Sequence, residues 1–339
     1  MNVLIVRLGA LGDVVHTIPA AAALRSAFPD ARIDWLVDVR HRDMVDLVEG
    51  VDRVVPLARS TVAGWIEAVK ELRRARYDVA LDFQGLMKSA VFARASGASR
   101  VIGFSIWHLR EKTARPFYSE TDNRATAHAQ TDRDAEHVVR KNLRLLETIG
   151  VHDDRIVFPL ARVESPAIAA VQGLVEGRPF ALLNPGAAWP NKRWPPERFG
   201  EVATFLRDVR GLESVVLWGP GEGALARAVV EASMGAAHVA PATTIADLVA
   251  LSREAALMIS GDTGPLHIAA AAGTPVVALF GPTNPGRNGP WSPNDVAIAR
   301  YDACDCHYER RCHDATWCLG EVSVAEVTAA IQQRLTAHD

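Results

Sequence analysis

This sequence of 339 residues has no long apolar run, no cysteine outside one short segment, and almost no excess of either charge. No stretch reaches the run of about 18 apolar residues that a membrane-spanning helix needs. All four cysteines lie within residues 304–318, which does not look like the disulfide framework of a secreted protein. A formal net charge of −3 argues against an obligate nucleic-acid binder.

Residues 1–20, MNVLIVRLGALGDVVHTIPA, contain one early arginine and a short apolar run. Asp13 and His16 interrupt any core that would resemble a signal peptide. We therefore expect this segment to form the first strand of the fold, and we expect the protein to be cytoplasmic.

Short apolar runs alternate with amphipathic or alanine-rich stretches along the whole chain. With 49% hydrophobic and 23% charged residues, the chain can form two domains of about 150–170 residues each. The alternation predicts βαβ units and doubly wound parallel sheets. The predicted strands are NVLIVRL, RIDWLVD, RVVPL and DVALDFQ in the first half, and FALLNPG, ESVVLWG, HVAPA, ALMISGD and PVVALFGP in the second.

The first half also contains the clearest predicted helices. They span residues 13–28, 41–49, 63–77 and 135–150, the last ending at Gly150. A polar, irregular stretch covers residues 104–134, and a linker near residues 151–178 separates the halves. The predicted fold is therefore α/β, with two Rossmann-like domains that face a cleft.

Several predicted strands end in small or polar residues. These strand ends are RLGALGD, NPGAAW, WGPGE, SGD and FGPTNP. In open α/β sheets, ligands bind outside the carboxyl ends of the strands, so we expect these loops to border one site between the halves. In the segment SGDTGPLHIAAAAGTPVVALFGPTNP, small residues at a helix start suit an anion such as phosphate.

Three segments together resemble a known family. MNVLIVRLGALGDVVHTIPA, NPGAAWPNKRWPPERF and SGDTGPLHIAAAAGTPVVALFGPTNP are similar to the family 9 glycosyltransferases, the bacterial lipopolysaccharide heptosyltransferases. The similarity covers nearly the whole chain in the expected order. It implies a GT-B type fold with an acceptor-binding domain at residues 1–160 and a domain for the nucleotide-sugar donor at 161–320. A C-terminal helix at 321–339 is then expected to pack back on the N-terminal domain.

The resemblance also implies a reaction. REKTARPFYS, residues 110–119, is similar to the heptosyltransferase I branch, which attaches the first heptose to the Kdo sugars of lipid A. The implied enzyme is an inverting transferase that uses ADP-heptose and no cofactor. It would act as a monomer at the inner face of the bacterial inner membrane. The alternatives are another acceptor, such as the first heptose, another donor, or an inactive protein that only binds a nucleotide sugar.

Inverting transfer needs a base that takes the proton from the acceptor hydroxyl. Asp13 follows Gly12 at the turn after the first strand, where the family motif places the proposed catalytic base. The alternative is that Asp13 only caps the helix that follows it. His16 lies one turn further on, and we expect it to pack within the fold.

The leaving diphosphate needs positive charge or amide dipoles. Lys192 lies in the loop PNKRWP, and the resemblance implies that it contacts the donor phosphate; the alternative is a solvated surface lysine. Arg193 could share that role, and Trp194 is expected to pack the loop. Asn184 and Gly186, in the preceding NPG turn, belong to the implied donor site.

Thr263 and Gly264 offer a hydroxyl and backbone amides at a helix start, which suits the donor phosphates. Asp262 would repel phosphate, so we expect it to cap that helix or to bind a sugar hydroxyl. His267 lies one turn later and either lines the donor site or is a core histidine. Glu222 ends a strand where Rossmann-like folds often place a carboxylate on ribose hydroxyls, although it could instead be a helix-start acid.

Basic residues of the irregular stretch are the candidates for binding the acceptor. Arg110, Lys112 and Arg115 suit the Kdo carboxylates and the phosphates of lipid A, and Arg124 and Trp107 lie in the same stretch. A solvated loop would look the same.

No metal is expected in the donor site, because no Asp-x-Asp pair follows a strand. The competing segment is CDCHYERRCHDATWC, which contains enough sulfur and imidazole ligands for structural zinc. Its spacing lacks the paired Cys-x-x-Cys of common zinc ribbons. The four cysteines there are Cys304, Cys306, Cys312 and Cys318, with His307 and His313 between them.

Overall fold

The computed structural model describes residues 1–58, 61–122, 136–312 and 317–336. The chain divides into two compact units, Met1–Ala161 and Arg162–Asp339. Arg124 and His313, both named above, lie outside the described residues. No helix in the described part of the chain is long and apolar enough to cross a membrane.

The first unit is built around a parallel sheet of six strands in the order β3-β2-β1-β4-β5-β6. Its strands are β1 Asn2–Val6, β2 Arg32–Asp38, β3 Arg53–Leu57, β4 Val79–Asp82, β5 Arg100–Gly103 and β6 Glu120–Thr121. Its helices are α1 Leu11–Val15, α2 Ile18–Ala27, α3 Arg42–Val45, α4 Val62–Ala75, α5 Met87–Ala95 and α6 Val138–Leu145. Short 3₁₀ helices cover Val39–His41, Lys112–Phe117 and Leu146–Ile149.

The second unit repeats the same strand order with its own six parallel strands, β12-β11-β10-β7-β8-β9. Its strands are β7 Phe180–Asn184, β8 Glu213–Val216, β9 Ala237–Val239, β10 Leu257–Gly261, β11 Val276–Phe280 and β12 Val296–Ala299. Its helices are α7 Pro166–Leu174, α8 Pro196–Arg210, α9 Gly223–Ala232, α10 Ile245–Glu254, α11 Gly264–Ala272, α12 Pro285–Asn288 and α13 Val324–Thr336. Two 3₁₀ helices cover Pro190–Lys192 and Cys318–Glu321.

The central strands of both sheets are buried on both faces, which is why they read as continuous apolar runs in the sequence. β7, β10 and β11 are buried at every position. Every strand predicted from the sequence overlaps an observed strand. The predicted pair of Rossmann-like sheets is therefore confirmed for each unit.

Two segments differ from their sequence-based predictions. The helix predicted for residues 13–28 is two helices, α1 and α2, and Pro19 occupies the first turn of the second, where its missing N–H is harmless. The linker predicted near 151–178 contains α7, which Ser165 caps through the backbone N–H of Ala167. The C-terminal helix α13 packs its buried residues Val327 and Ile331 into the core of the second unit, and its expected packing on the N-terminal domain stays a prediction.

Candidate active site

The strand order of each unit identifies where a ligand should bind. In both sheets the order reverses beside the first strand of the unit, between β1 and β4 in one and between β7 and β10 in the other. Rossmann-like sheets bind ligands outside the carboxyl ends of the strands at such a reversal. The loops that follow β1, β4, β7 and β10 are therefore the candidate site loops.

In the second unit, Asn184 joins the ends of β7 and β10. Its buried side-chain amide donates hydrogen bonds to Ser260 Oγ and Thr263 Oγ1, both at 3.0 Å, and to the carbonyl of Gly186 at 3.2 Å. The hydroxyls of Ser260 and Thr263 are 3.1 Å apart. The hydroxyl of Thr263 is thus already engaged within the protein, so what this turn offers to a ligand is its backbone.

Thr263 is the N-cap residue of α11, and its side chain makes no capping hydrogen bond to the first turn. Pro265, at the start of the helix, has no N–H to satisfy. The remaining first-turn amides, with the positive end of the helix dipole, are suited to an anion. The sequence-based interpretation of Thr263 and Gly264 is compatible with this geometry and stays a prediction.

Asp262 is the centre of a buried polar cluster. Its Oδ2 lies 2.6 Å from Lys192 Nζ and accepts a hydrogen bond of 2.8 Å from Thr283 Oγ1. Its Oδ1 lies 3.1 Å from Nε2 of His267, which is 4% exposed. Asp262 therefore does not cap α11, as the first of its two expected roles would require. Its carboxylate instead contacts His267 of α11 and two loop residues, Lys192 and Thr283.

The electrostatics of this cluster follow from its contacts. Burial alone would raise the pKa of the Asp262 carboxyl, but the hydrogen bond with His267 and the charge of Lys192 outweigh it and hold that pKa far below its usual range. Asp262 is thus a fixed negative charge that orients Lys192. The ammonium also lies over the ring of Trp189, 4.6 Å from its centroid.

Two glycines permit the close approach of loops in this site. A β-carbon on Gly261 would lie 2.6 Å from the carbonyl oxygen of Lys192, so the glycine lets the Lys192 loop cover the end of β10. A β-carbon on Gly186 would lie 2.1 Å from Oε2 of Glu222. That carboxylate accepts a hydrogen bond of 3.0 Å from the N–H of Gly219 and makes no capping bond to α9. Glu222 is nevertheless the N-cap residue of α9, so it is an acid at a helix start, as its alternative interpretation expects, and its role toward the ribose stays a prediction.

The neighbours of Lys192 in sequence fill structural roles. Trp194 is buried edge-to-face against Phe199 and donates from Nε1 to the carbonyl of Val322 at 2.9 Å, so it packs the loop as expected. Arg193 donates from Nε to the carbonyl of Ala187 at 2.8 Å. That bond closes the loop between Ala187 and Arg193, and it engages one nitrogen of the guanidinium group within the protein.

In the first unit, Asp13 lies in α1, just after the loop that follows β1. Its Oδ1 is 2.6 Å from Arg7 Nη2, and its Oδ2 accepts a hydrogen bond of 3.3 Å from the N–H of Ala10. The carboxyl side chain remains 22% exposed. Asp13 is therefore both tied to the start of α1 and accessible to solvent. His16 is 2% exposed with its ring edge against His137, and it packs as expected.

Sequence reasoning missed Asp82, a fully buried carboxylate at the carboxyl end of β4. It accepts hydrogen bonds from Tyr118 Oη at 2.7 Å, Ser89 Oγ at 2.8 Å and the N–H of Gln84 at 2.9 Å. Burial raises the pKa of this carboxyl despite those donors. The sequence feature that could have identified Asp82 is its place at the end of a strand, shortly before Gln84 and Gly85.

Tyr118 links Asp82 to the basic stretch proposed to bind the acceptor. Arg115 donates from Nη1 to the carbonyl of Tyr118 at 3.2 Å, and it belongs to the 3₁₀ helix Lys112–Phe117. Lys112 begins that helix, and Arg110 precedes it; both are exposed. The structure thus places the three basic residues on one short segment beside α5.

The chain was compared with known proteins. Residues 65–317 match the model of glycosyltransferase family 9 (heptosyltransferase). The chain is 28% identical over 325 residues to lipopolysaccharide heptosyltransferase 1 of Pseudomonas aeruginosa, an alignment that covers 92% of this chain and 87% of that protein.

Two solved structures share the fold. A family 9 glycosyltransferase from Veillonella parvula superposes with a TM-score of 0.82 at 24% identity, covering 99% of this chain and 97% of that one. The E. coli heptosyltransferase WaaC with ADP-2-deoxy-2-fluoro heptose gives a TM-score of 0.74 at 23% identity, covering 98% and 99%. The predicted GT-B type architecture and the family resemblance are both confirmed.

Proposed function

We propose, from the fact that this chain belongs to the heptosyltransferases of glycosyltransferase family 9, that it transfers heptose from ADP-heptose to the Kdo-lipid A inner core of lipopolysaccharide. The observation that carries this proposal is the cluster around Lys192 and Asp262, which lies within the matched residues and at the strand-order reversal of the second unit. The donor is supported by the ADP-sugar analogue named for WaaC.

In the proposed donor site, Lys192 and the first-turn amides of α11 bind the diphosphate. Lys192 is the only lysine in residues 162–339, where every other cationic side chain of fixed charge is an arginine. A lysine is a compact point charge with three donors, so it can keep one contact to Asp262 and direct another at a phosphate oxygen. Gly264 permits close approach of the phosphate, and Glu222 suits the ribose hydroxyls.

The remaining proposed donor residues shape this site. Asn184 and Gly186 fix the turn after β7, and His267 holds Asp262 from the side opposite Lys192. The contacts of Asp262 limit the freedom of Lys192, and those of Asn184 fix the turn, before the donor arrives. Such preorganisation means that less free energy is lost in ordering the site during transfer.

The proposed chemistry is a single displacement. The acceptor hydroxyl attacks the anomeric carbon, its proton passes to the Asp13 carboxylate, and the bond from that carbon to the diphosphate oxygen breaks as ADP leaves. Arg7 fixes the position of the Asp13 carboxylate. Lys192 neutralises charge that develops on the leaving diphosphate, so the reaction needs no cofactor.

Arg110, Lys112 and Arg115 are proposed to bind the acceptor. Kdo carboxylates and lipid A phosphates are anions that such side chains recognise by charge-assisted hydrogen bonds. Because the lipid A part of the acceptor lies in a bilayer, we propose that the protein works at the inner face of the inner membrane. The monomeric state expected from the resemblance remains part of the proposal.

The direct test mixes purified protein with ADP-heptose and Kdo-lipid A and measures ADP release, with GDP- and UDP-sugars in parallel. The proposal expects release that depends on both substrates. ADP release with an inner-core acceptor that already contains the first heptose, but not with Kdo-lipid A, would assign the protein to a later transfer step. Donor binding without turnover on either acceptor would identify an inactive nucleotide-sugar binding protein instead.

A further inference from the structure

Three of the four cysteines of segment 304–318 lie close together in the second unit. The Sγ atoms of Cys304, Cys312 and Cys318 all lie within 4.8 Å of one another. Cys304 follows β12, and Cys318 begins the 3₁₀ helix Cys318–Glu321. Cys306 is buried and is not part of this group. The sequence spacing favoured no metal; the folded arrangement supplies three of the ligands that a metal needs.

The separation of the sulfur atoms suits a tetrahedral thiolate site. Zinc–sulfur bonds of about 2.3 Å at tetrahedral angles place two ligand sulfurs about 3.8 Å apart. Sulfur atoms within 4.8 Å of one another need only small side-chain adjustments to reach that spacing. Soft thiolate ligands select zinc and similar thiophilic ions over magnesium or calcium.

Asn191 provides an independent observation beside the cluster. Its side-chain Nδ2 lies 3.7 Å from Cys312 Sγ and donates to the carbonyl of Glu309 at 2.9 Å. Donors of this kind stabilise a metal-bound thiolate. Its Oδ1 is buried and has no hydrogen-bond partner among the described residues. Buried polar atoms are normally satisfied, and a water that completes the coordination of a metal would supply the missing donor.

We propose that Cys304, Cys312 and Cys318 form a structural site for a thiophilic divalent cation of the zinc type. The site fastens the segment after β12 beneath the loop that contains Lys192. Asn191 is the residue before that lysine, and Trp317, the residue before Cys318, donates from Nε1 to the carbonyl of Arg193 at 2.8 Å. The metal therefore positions the Lys192 loop without touching the substrate.

The first experiment measures metal in the full chain, purified without chelator, by elemental analysis. About one zinc ion per chain is expected. Three variants, Cys304→Ser, Cys312→Ser and Cys318→Ser, should each lose the metal and melt at a lower temperature. Cys306→Ser is the matched control, since it removes a buried cysteine from the same segment, and it should keep the metal.

A second measurement does not depend on the variants folding. Chelator-treated wild-type protein is titrated with Co²⁺, whose absorption reports thiolate ligation and tetrahedral geometry. Saturation near one equivalent, displaced by Zn²⁺, supports the site. Metal-free protein that binds neither ion overturns the proposal, and so does metal content that persists in all three cluster variants. A disulfide between two cluster cysteines, detected as missing thiols in denatured, unreduced protein, would also overturn it.

Discussion

Lys192 Nζ lies 2.6 Å from Asp262 Oδ2, and the two side chains are 15% and 6% exposed. The pair joins the loop after β7 to the loop after β10, the two strands that flank the strand-order reversal of the second unit. A buried pair of this kind costs desolvation and is strongly destabilising when only one member is removed. Any test of Lys192 must therefore separate its effect on stability from its effect on the ligand.

Lys192→Met removes the charge and leaves Asp262 buried with one partner fewer. We expect unfolding to become easier by about 3–5 kcal/mol, and ADP binding to weaken about ten- to a hundredfold because a charge-assisted contact is lost. Adding Asp262→Asn should restore much of the stability but none of the affinity. Chemical denaturation and calorimetry measure the two quantities. Unchanged ADP affinity in the folded double variant would remove Lys192 from the diphosphate site.

The lowered pKa of Asp262 predicts a pH dependence of stability. Because the folded pKa lies below the unfolded value of about 3.9, the unfolded chain takes up a proton first as the pH falls. The stability contributed by Asp262 is therefore complete above that value and is lost progressively below it. Asp262→Asn should flatten the acid side of the stability profile by about 1.4 kcal/mol per pH unit below pH about 3.5. Parallel profiles for the two proteins would contradict the assignment.

Gly186 and Glu222 are predicted to act as one unit. In Gly186→Ala the new methyl group occupies the space of the Glu222 carboxylate, which must rotate away. If Glu222 binds the ribose, Gly186→Ala and Glu222→Ala should each weaken ADP binding by a similar factor, and the double variant should be no weaker than either. Such non-additivity is the sign of two residues in one interaction. Additive losses in calorimetric titrations would mean that they act separately.

The sequence predicted the sheets better than it predicted the site. Continuous apolar runs identified β1, β2, β7 and β10 because strands buried on both faces have little room for polar residues. β5 and β6, with four and two residues, and β12, whose positions are mostly half-buried, were missed because such strands have no distinctive pattern. The helix α7 was also missed, although Ser165 and Pro166 form a recognisable helix start.

The partners of Asp262 show why the site was harder. Lys192, His267 and Thr283 come from three segments that meet only because β7, β10 and β11 are neighbours in the sheet. Strand order is not written in local periodicity, so the sequence could place Asp262 at a helix start but could not show what it contacts. The sequence also could not show that Cys304 and Cys318 lie close together in the fold, because their spacing fits no common zinc motif.

Asp13 can be tested with a variant that keeps its hydrogen bond with Ala10. Asp13→Asn retains an oxygen for the N–H of Ala10 but cannot accept the proton of the acceptor. We expect the turnover rate to fall about 10²–10⁴-fold, as for loss of a general base, with ADP affinity close to wild type. The melting temperature should fall, because the buried guanidinium of Arg7 loses its charged partner. If Asp13 is only a helix cap, the asparagine should preserve turnover, since Asn caps helices as well as Asp.

The basic segment before and within the 3₁₀ helix Lys112–Phe117 should affect the affinity for the acceptor and leave the affinity for the donor unchanged. Arg110→Glu and Lys112→Glu reverse exposed charges, so the fold should tolerate them. If these side chains meet the anionic groups of Kdo-lipid A, each reversal should raise KM for the acceptor about tenfold, which corresponds to about 1.4 kcal/mol. ADP affinity should not change.

Arg74→Glu, a charge reversal at an exposed position of α4, is the control for a general effect of net charge. The effect of the two segment variants should shrink as ionic strength rises, because exposed charges are screened. Equal losses in all three variants would show that overall charge, and not this segment, attracts the acceptor.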